Sequence, residues 1–336
     1  MLPLTHSAYQ SAHPHTRNFT YFTFFSELQN THWLVTMTET LVLMMIFVVS
    51  VVGNLGAFIL VIQERRLTNN LLFTLNLFLA DLLFVSTVPL VISVRWTKAW
   101  KLGSVACHMV MYFISLSGTV TITTLSAISI ERLLAILKME MTPSLNPRWA
   151  ACVLFLIWFF SAVGLLPLSL FSRVVPVVFH DQREVHICTL IWPHLTGEIV
   201  WNAMFIILVY LLPGASIVIS YSKILQIRQQ SKRRFHTSTS PRHEQSSTVS
   251  RQDYKLFRTL LVLMTSFFVM WAPVFIFSFL ILVNNFKAHI SITSSMFFWV
   301  LTFTMANSAL NPVLYSLYKW KHRWQRVCCA MEVTPG

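Results

Sequence analysis

The sequence predicts an all-α membrane protein: a seven-transmembrane-helix bundle followed by a short amphipathic eighth helix. Three observations carry that prediction. Of the 336 residues, 55% are hydrophobic and only 11% are charged, against about 25% charged in an ordinary soluble domain, so polar side chains are too few to cover a surface in water. The apolar residues gather into seven runs, each of the length, roughly 20 residues, that a helix needs to cross a hydrocarbon core of about 30 Å. The basic residues are sorted to one side of those runs, as a bilayer requires.

The runs lie at about 37–62, 71–94, 105–137, 149–171, 199–227, 256–283 and 293–317. The first starts too deep and runs too long for a cleavable signal peptide, so it is expected to stay as a helix. An odd number of crossings puts the termini on opposite sides. With the N-terminus extracellular, 18 of the 25 Lys and Arg fall inside, among them Arg65, Arg66, Arg132, Lys223, Arg233, Arg234, Arg258 and Arg323. Cytoplasmic loops favour Lys and Arg, so this division fixes the predicted orientation and assigns the net charge of +13 to topology, not to nucleic-acid binding.

Residues 1–36 then form an extracellular segment, in which Asn18-Phe19-Thr20 is a glycosylation acceptor triplet. The transmembrane domain covers 37–317. Its one markedly hydrophilic interruption, 228–255, is rich in Ser, Thr and charge and is expected to be a mobile cytoplasmic loop. Residues 318–336 make the amphipathic helix and tail, with Lys319-Trp320-Lys321 and Arg323-Trp324 mixing basic and aromatic side chains at the interface. Cys328 and Cys329 at its end are candidates for palmitoylation or are two idle thiols.

Ionisable residues inside a membrane are costly, so they are the first functional candidates. Asp81 stands mid-span in the second run. It serves either as a hydrogen-bond acceptor between helices or as a sodium ligand together with Thr121, Asn307 and Asn311. Pro213, Pro273 and Pro312 each remove a backbone donor from a helix and give three spans a point at which to bend.

Gly53-Asn54 in the first run, Leu77 to Asp81 in the second, Glu131-Arg132-Leu133 ending the third, Trp158 in the fourth, Pro213 and Tyr221 in the fifth, Trp271-Ala272-Pro273 in the sixth and Asn311-Pro312-Val313-Leu314-Tyr315 in the seventh stand in order. Together they resemble the signature of rhodopsin-like (class A) G-protein-coupled receptors. The resemblance implies that Trp271 is a toggle at the floor of a ligand pocket, and that Glu131 and Arg132 face a heterotrimeric G protein when the sixth helix swings out. It also implies a disulfide between Cys107 and Cys188, which are the cysteines on the predicted oxidising side.

Val94-Arg95-Trp96-Thr97, the stretch from Ile187 to Pro193, Ile219 to Ile227 and Phe303 to Pro312 look like the receptors for long-chain and omega-3 free fatty acids. That likeness implies a medium- to long-chain fatty acid agonist, Gq/11-class and Gi-class G proteins as partners, arrestin as a further one, and a place in the plasma membrane. Arg95 is the expected attraction for the carboxylate. Trp100, Met111, Ile114, Ser115, Trp192, Trp201, Phe205, Trp271, Phe297 and Phe298 are the expected lining, since Phe and Trp faces suit alkyl chains and alkene π bonds. Gly118 and Ser115 are small, which leaves room for a chain to pass or lets helices pack closely.

The competing readings are a receptor for another amphipathic lipid or a peptide, and a transporter or channel. A transporter predicts midplane charge pairs or internal symmetry, and the chain has one mid-membrane carboxylate and no repeat. With no metal-spaced His or Cys set and no nucleophile motif, neither an enzyme nor a cofactor is expected.

Overall fold

A hydrocarbon solvent turns the usual burial pattern inside out, and the first helix displays this. The computed structural model describes residues 24–25, 32–63, 69–137, 147–178, 184–235, 244–284 and 293–313. Helix α1 spans Trp33–Ile62. It turns Glu39, Ser50 and Asn54 inward and leaves Leu41, Met45, Val52 and Ile59 exposed, as suits a helix whose outer face meets lipid. It begins four residues before the predicted start at 37, because the His32 ring accepts from the Leu34 N–H and caps the helix at its interfacial Trp33.

The second span is broken into α2 (Asn69–Val85) and α3 (Val88–Thr97). Pro89 lies in the first turn of α3, where its missing N–H costs nothing. Helix α4 (Gly103–Leu137) is the third span and the hub of the bundle, touching the second, fourth, fifth and sixth spans. The fourth span is α5 (Pro147–Gly164) followed by the short α6 (Leu166–Phe171). The fifth runs from α7 (Leu195–Phe205) through a π-helical stretch (Ile206–Leu211) into α8 (Leu212–Phe235). Pro213 cannot donate a hydrogen bond, and just before it the ladder shifts to i→i−5, with the Leu212 N–H donating to the Ile207 carbonyl.

Helix α9 (Glu244–Asn284) is the sixth span, with Pro273 inside it, and α10 (Ser294–Met305) opens the seventh, which is helical again over 307–313. Six helical stretches among the described residues are long and apolar enough to cross a bilayer. With the seventh, the chain forms a seven-helix bundle.

Two differences from the sequence reading concern loops. The stretch 228–255, expected to be mobile, is helical to Phe235 and again from Glu244; Gln, Lys, Arg and Glu are good helix formers, and a polar helix in water continues from an apolar one in lipid. The chain between the fourth and fifth spans, in which the sequence reading placed no element, holds an antiparallel hairpin of β1 (Ser172–Val178) and β2 (Glu184–Leu190), with Val174 opposite Cys188. Four valines in β1 and a valine, an isoleucine and a threonine in β2 suit a pleated ribbon. The proposed eighth helix and tail at 318–336, with Cys328 and Cys329, and the Asn18 triplet lie outside the described residues.

Polar contacts hold the spans together. The Asn76 amide donates to Thr124 Oγ1 at 2.8 Å and its carbonyl accepts from Trp158 Nε1 at 2.7 Å, joining spans two, three and four. Asn54 Nδ2 donates to the Ser308 carbonyl at 2.9 Å, joining spans one and seven. Beside it the helices approach so closely that a Cβ on Gly53 would lie 2.8 Å from Pro312 Cγ, whereas one on Gly56 would meet nothing within 4 Å. Gly53→Val is therefore expected to destabilise the bundle by roughly 1 to 3 kcal/mol through overpacking, while Gly56→Val, with the same side chain on the same helix, leaves it near wild type. Thermal melts of the two purified variants in the same lipid nanodisc check this.

Candidate ligand-binding and coupling site

The hairpin closes one end of the bundle. Cys188 is bonded to Cys107 at the start of α4 across 81 residues, with Cα atoms 5.6 Å apart. The Trp100 N–H donates to the His186 carbonyl at 2.7 Å and its indole N–H to the Gly103 carbonyl at 2.8 Å. Phe25, fully buried, packs its ring 5.9 Å from Trp100. Trp100 thus pins the loop after α3 under the hairpin, with both its donors used by protein.

Below this closure a row of aromatic rings runs into the bundle. It passes from Phe171 to Trp192, Trp201, Phe205, Phe275, Tyr210, Phe268, Phe267 and Trp271, and ends on Phe84, with neighbouring centroids 4.5 to 6.0 Å apart. Trp201 and Phe205, one helical turn apart on α7, stack at 10°. Met111 and Phe205 pack against the main core cluster that contains Ile114 and Trp271. The structure thus gathers Trp192, Trp201, Phe205 and Trp271 into one surface, with Met111 and Ile114 beside it. Phe275, Tyr210 and Phe268, which the sequence reading did not single out, are part of the same row; their i, i+7 spacing on the sixth helix (Phe268, Phe275) was the available signal.

Two of the expected positions have surroundings that the sequence did not show. Of the two readings of Gly118, close packing matches the geometry: its missing Cβ makes room for the Trp271 indole, which a Cβ there would overlap. The tryptophan is set between Phe84 and Phe267 at 5.4 and 5.3 Å. Arg95 already has an anionic partner within the bundle. Its Nε donates to Glu39 Oε2 at 2.9 Å, its Nη2 bonds to the same oxygen, and its guanidinium lies over the Phe298 ring, 4.6 Å from the centroid. Both charged side chains are almost wholly buried. Phe298 is thereby committed to Arg95, and Phe297 meets Phe24 edge-on at 5.5 Å. The sequence reading left Glu39 unremarked because its partner is 56 residues away.

Deeper in the bundle, Asn311 Nδ2 donates to Asp81 Oδ2 at 2.6 Å. Thr121 and Asn307 are buried, and Asn307 Oδ1, Asn54 Oδ1, Ser50 Oγ and Ser308 Oγ have no hydrogen-bond partner. Buried oxygens of this kind are the donor type a hard cation such as sodium takes, and Asp81, Thr121, Asn307 and Asn311 are the candidates to hold one. In the sixth helix, Pro273 disrupts the carbonyl ladder of the preceding turn, and the Thr304 hydroxyl of the seventh span donates to the Met270 carbonyl at 2.8 Å. At the far end from the hairpin, Glu131 is buried beside Arg132, and Arg132 interacts electrostatically with the buried Tyr221 of the fifth span. Tyr315 lies outside the described residues.

A seven-helix bundle with a disulfide-tied hairpin at one end, a proline-bent sixth helix above an interior tryptophan, and Glu-Arg at the other end is a receptor architecture. Residues 53–315 match the seven transmembrane receptor (rhodopsin family), and the chain belongs to that family. It is a G-protein-coupled receptor and not an enzyme. It is 48% identical to Free fatty acid receptor 4 of Rattus norvegicus over 94% of this chain and 88% of that protein. It is likewise 48% identical to Free fatty acid receptor 4 of Mus musculus, over 93% and 87%. Its similarity to Somatostatin receptor type 4 of Rattus norvegicus is lower, 27% over 87% of this chain and 74% of that one.

Removing one partner of a buried ion pair strands the other charge, at a cost of roughly 3 to 5 kcal/mol. Arg95→Ala alone is therefore expected to cut the amount of receptor at the cell surface, and the double variant Glu39→Gln with Arg95→Gln to restore much of it. Surface labelling of the single and double variants checks the pair. A double variant that reaches the surface but has lost potency for acids, while keeping it for methyl esters, reveals an additional contact between Arg95 and a ligand carboxylate.

Proposed function

We propose that this protein is a plasma-membrane receptor for medium- to long-chain free fatty acids, omega-3 polyunsaturated acids included. The hairpin end faces outward and the Arg132 end engages Gq/11-class and Gi-class G proteins. The observation that carries this reading is the unbroken row of aromatic rings from Phe171 to Trp271, in a chain 48% identical to Free fatty acid receptor 4. A fatty acid offers one charge and a long run of methylenes. Ring faces supply apolar area for the methylenes and a π surface for alkenes.

Magnitudes assign the main role to the tail. Burying about 15 methylenes contributes on the order of 12 kcal/mol, at about 0.8 kcal/mol each. Association and chain ordering oppose this by about 4 to 15 kcal/mol, and one charge-assisted hydrogen bond adds roughly 1.5 to 3 kcal/mol. Chain length and shape therefore set affinity, and the headgroup sets orientation toward the hairpin end. Met111, Ile114 and Ser115 of α4 form the wall that faces the chain, and Trp271 is the contact through which it acts.

Tail contact with Trp271 biases α9 about Pro273, where the ladder is already interrupted, and the far end of α9 moves away from α4 to open a cleft at Arg132. Ligand and G protein each stabilise the open packing, so each raises the other's affinity. Arrestin follows through phosphorylated Ser and Thr in 237–250 or through Thr334, with their added charge as the signal. Asn18 as a glycan site and Cys328 and Cys329 as palmitoyl anchors complete the proposal.

Calcium mobilisation in cells expressing the receptor, measured against fatty acids of increasing length and their methyl esters, tests the reading. Potency is expected to rise with chain length through the C14 to C20 range. Phe205→Ala, which removes the ring next to Trp201, is expected to weaken long acids by roughly 10-fold or more, each 1.4 kcal/mol of lost burial being a factor of 10. A receptor silent to every acid but responsive to a peptide overturns it.

A further inference from the structure

Building on the fatty-acid reading, we propose that the ligand enters sideways from the bilayer, through the cleft between the third, fourth and fifth spans, with Trp201 and Phe205 as its inner gate. Three observations point there.

Among the described residues, the hairpin end is tightly packed. Phe25, Trp100, Ile187 and Cys188 are each less than 5% exposed, and backbone and disulfide bonds tie the hairpin to the loop after α3 and to the start of α4. A long-chain acid also partitions strongly into lipid, since each methylene favours leaving water by about 0.8 kcal/mol. It is therefore concentrated where the flanks of the bundle are, and dilute where the hairpin is.

On one flank lies a largely apolar cavity of about 470 Å³, within the size range of small-molecule sites. Its outer rim is Leu156 and Phe160 of α5 with Leu208 of the fifth span, all carried on helices whose exposed faces meet lipid. Its inner wall includes Trp201 and Phe205, which are members of the ring row that leads to Trp271. Phe205 packs against two separate hydrophobic clusters, one on the α5 side and one containing Ile114 and Trp271. The cavity and the interior are thus separated by this side chain.

The gate is lightly held. The Trp201 indole N–H donates to the Gly164 carbonyl at 3.3 Å, long for such a bond, at the point where α5 ends. Phe205 sits directly before the π-helical stretch Ile206–Leu211, in which Leu208 and Val209 also line the cavity. A π-turn is a less regular, more easily rearranged piece of helix, and it lies beside the two rings that must swing aside.

Gly164 provides the test. It lines the cavity, and a Cβ placed on it meets nothing within 4 Å, so a large side chain there fills the opening without straining the backbone contacts. Full-length wild type, Gly164→Phe, Leu156→Trp and the neighbouring Val163→Phe, whose residue is exposed on the same span but is not part of the cavity lining, are placed in nanodiscs with radiolabelled oleic acid. A blocked route slows entry and exit alike, because both use the same path. The expected result is that Gly164→Phe and Leu156→Trp lower the association and dissociation rates together by roughly 10-fold, with little change in equilibrium affinity, a change within the one to three decades over which association rates move. Val163→Phe behaves as wild type. Unchanged rates in both blocking variants overturn the route. A loss of affinity by faster dissociation alone also overturns it, making the cleft part of the binding site itself. Failure of wild type to bind oleic acid at all rejects the fatty-acid reading, and is told apart from failure of the route by that control.

Discussion

Within hydrocarbon no water is present to bond a stray peptide group, and each unsatisfied one costs several kcal/mol. The rest of this structure follows from that constraint. It makes the spans helical, and where proline breaks the helical ladder it dictates local repairs. At Pro213 the fifth span shifts to i→i−5 pairing, and at Pro273 a hydroxyl from the seventh span reaches the Met270 carbonyl. It also gathers polar side chains inward, so that Asn54, Asn76 and Asp81 join helices while leucines and valines face out. The bends needed to transmit a signal and the bonds needed to hold the bundle are thus two results of one requirement.

The spans were legible because their determinant is local: a run of apolar residues is sufficient to define a crossing. The Cys107–Cys188 bridge was legible through resemblance, and Asp81 through the rarity of a mid-span carboxylate. Pairings between distant helices were not. Arg95 reads in sequence as a solitary cation, and only the packing of the first two spans brings Glu39 to it. Gly118 reads in sequence as either an opening or a close contact, because nothing local says that a tryptophan 153 residues later fills the space. The hairpin was missed because in a chain so apolar its β-branched residues do not stand out from those of neighbouring helices. The helical extensions beyond the fifth and before the sixth spans were missed because polarity was read as irregularity.

The row of rings gives the functional reading its physical content. Aromatic side chains are rigid, each having two χ angles, so a wall built from them loses little conformational freedom when a ligand settles against it. Contacts between rings also propagate displacement: moving Phe205 disturbs Phe275, then Tyr210 and Phe268, all carried by the fifth and sixth helices. On the proposed function, the surface that meets the ligand and the helix that moves share the same side chains.

The Glu39–Arg95 pair has a consequence for biogenesis. The carboxylate is made and delivered to the membrane 56 residues ahead of its guanidinium, and a charge held alone inside a bilayer is costly. Until the second span arrives, Glu39 must stay near water or take up a proton. Arrival of Arg95 supplies the opposite charge and removes that cost. The burial of the first span is thus coupled to a residue of the second.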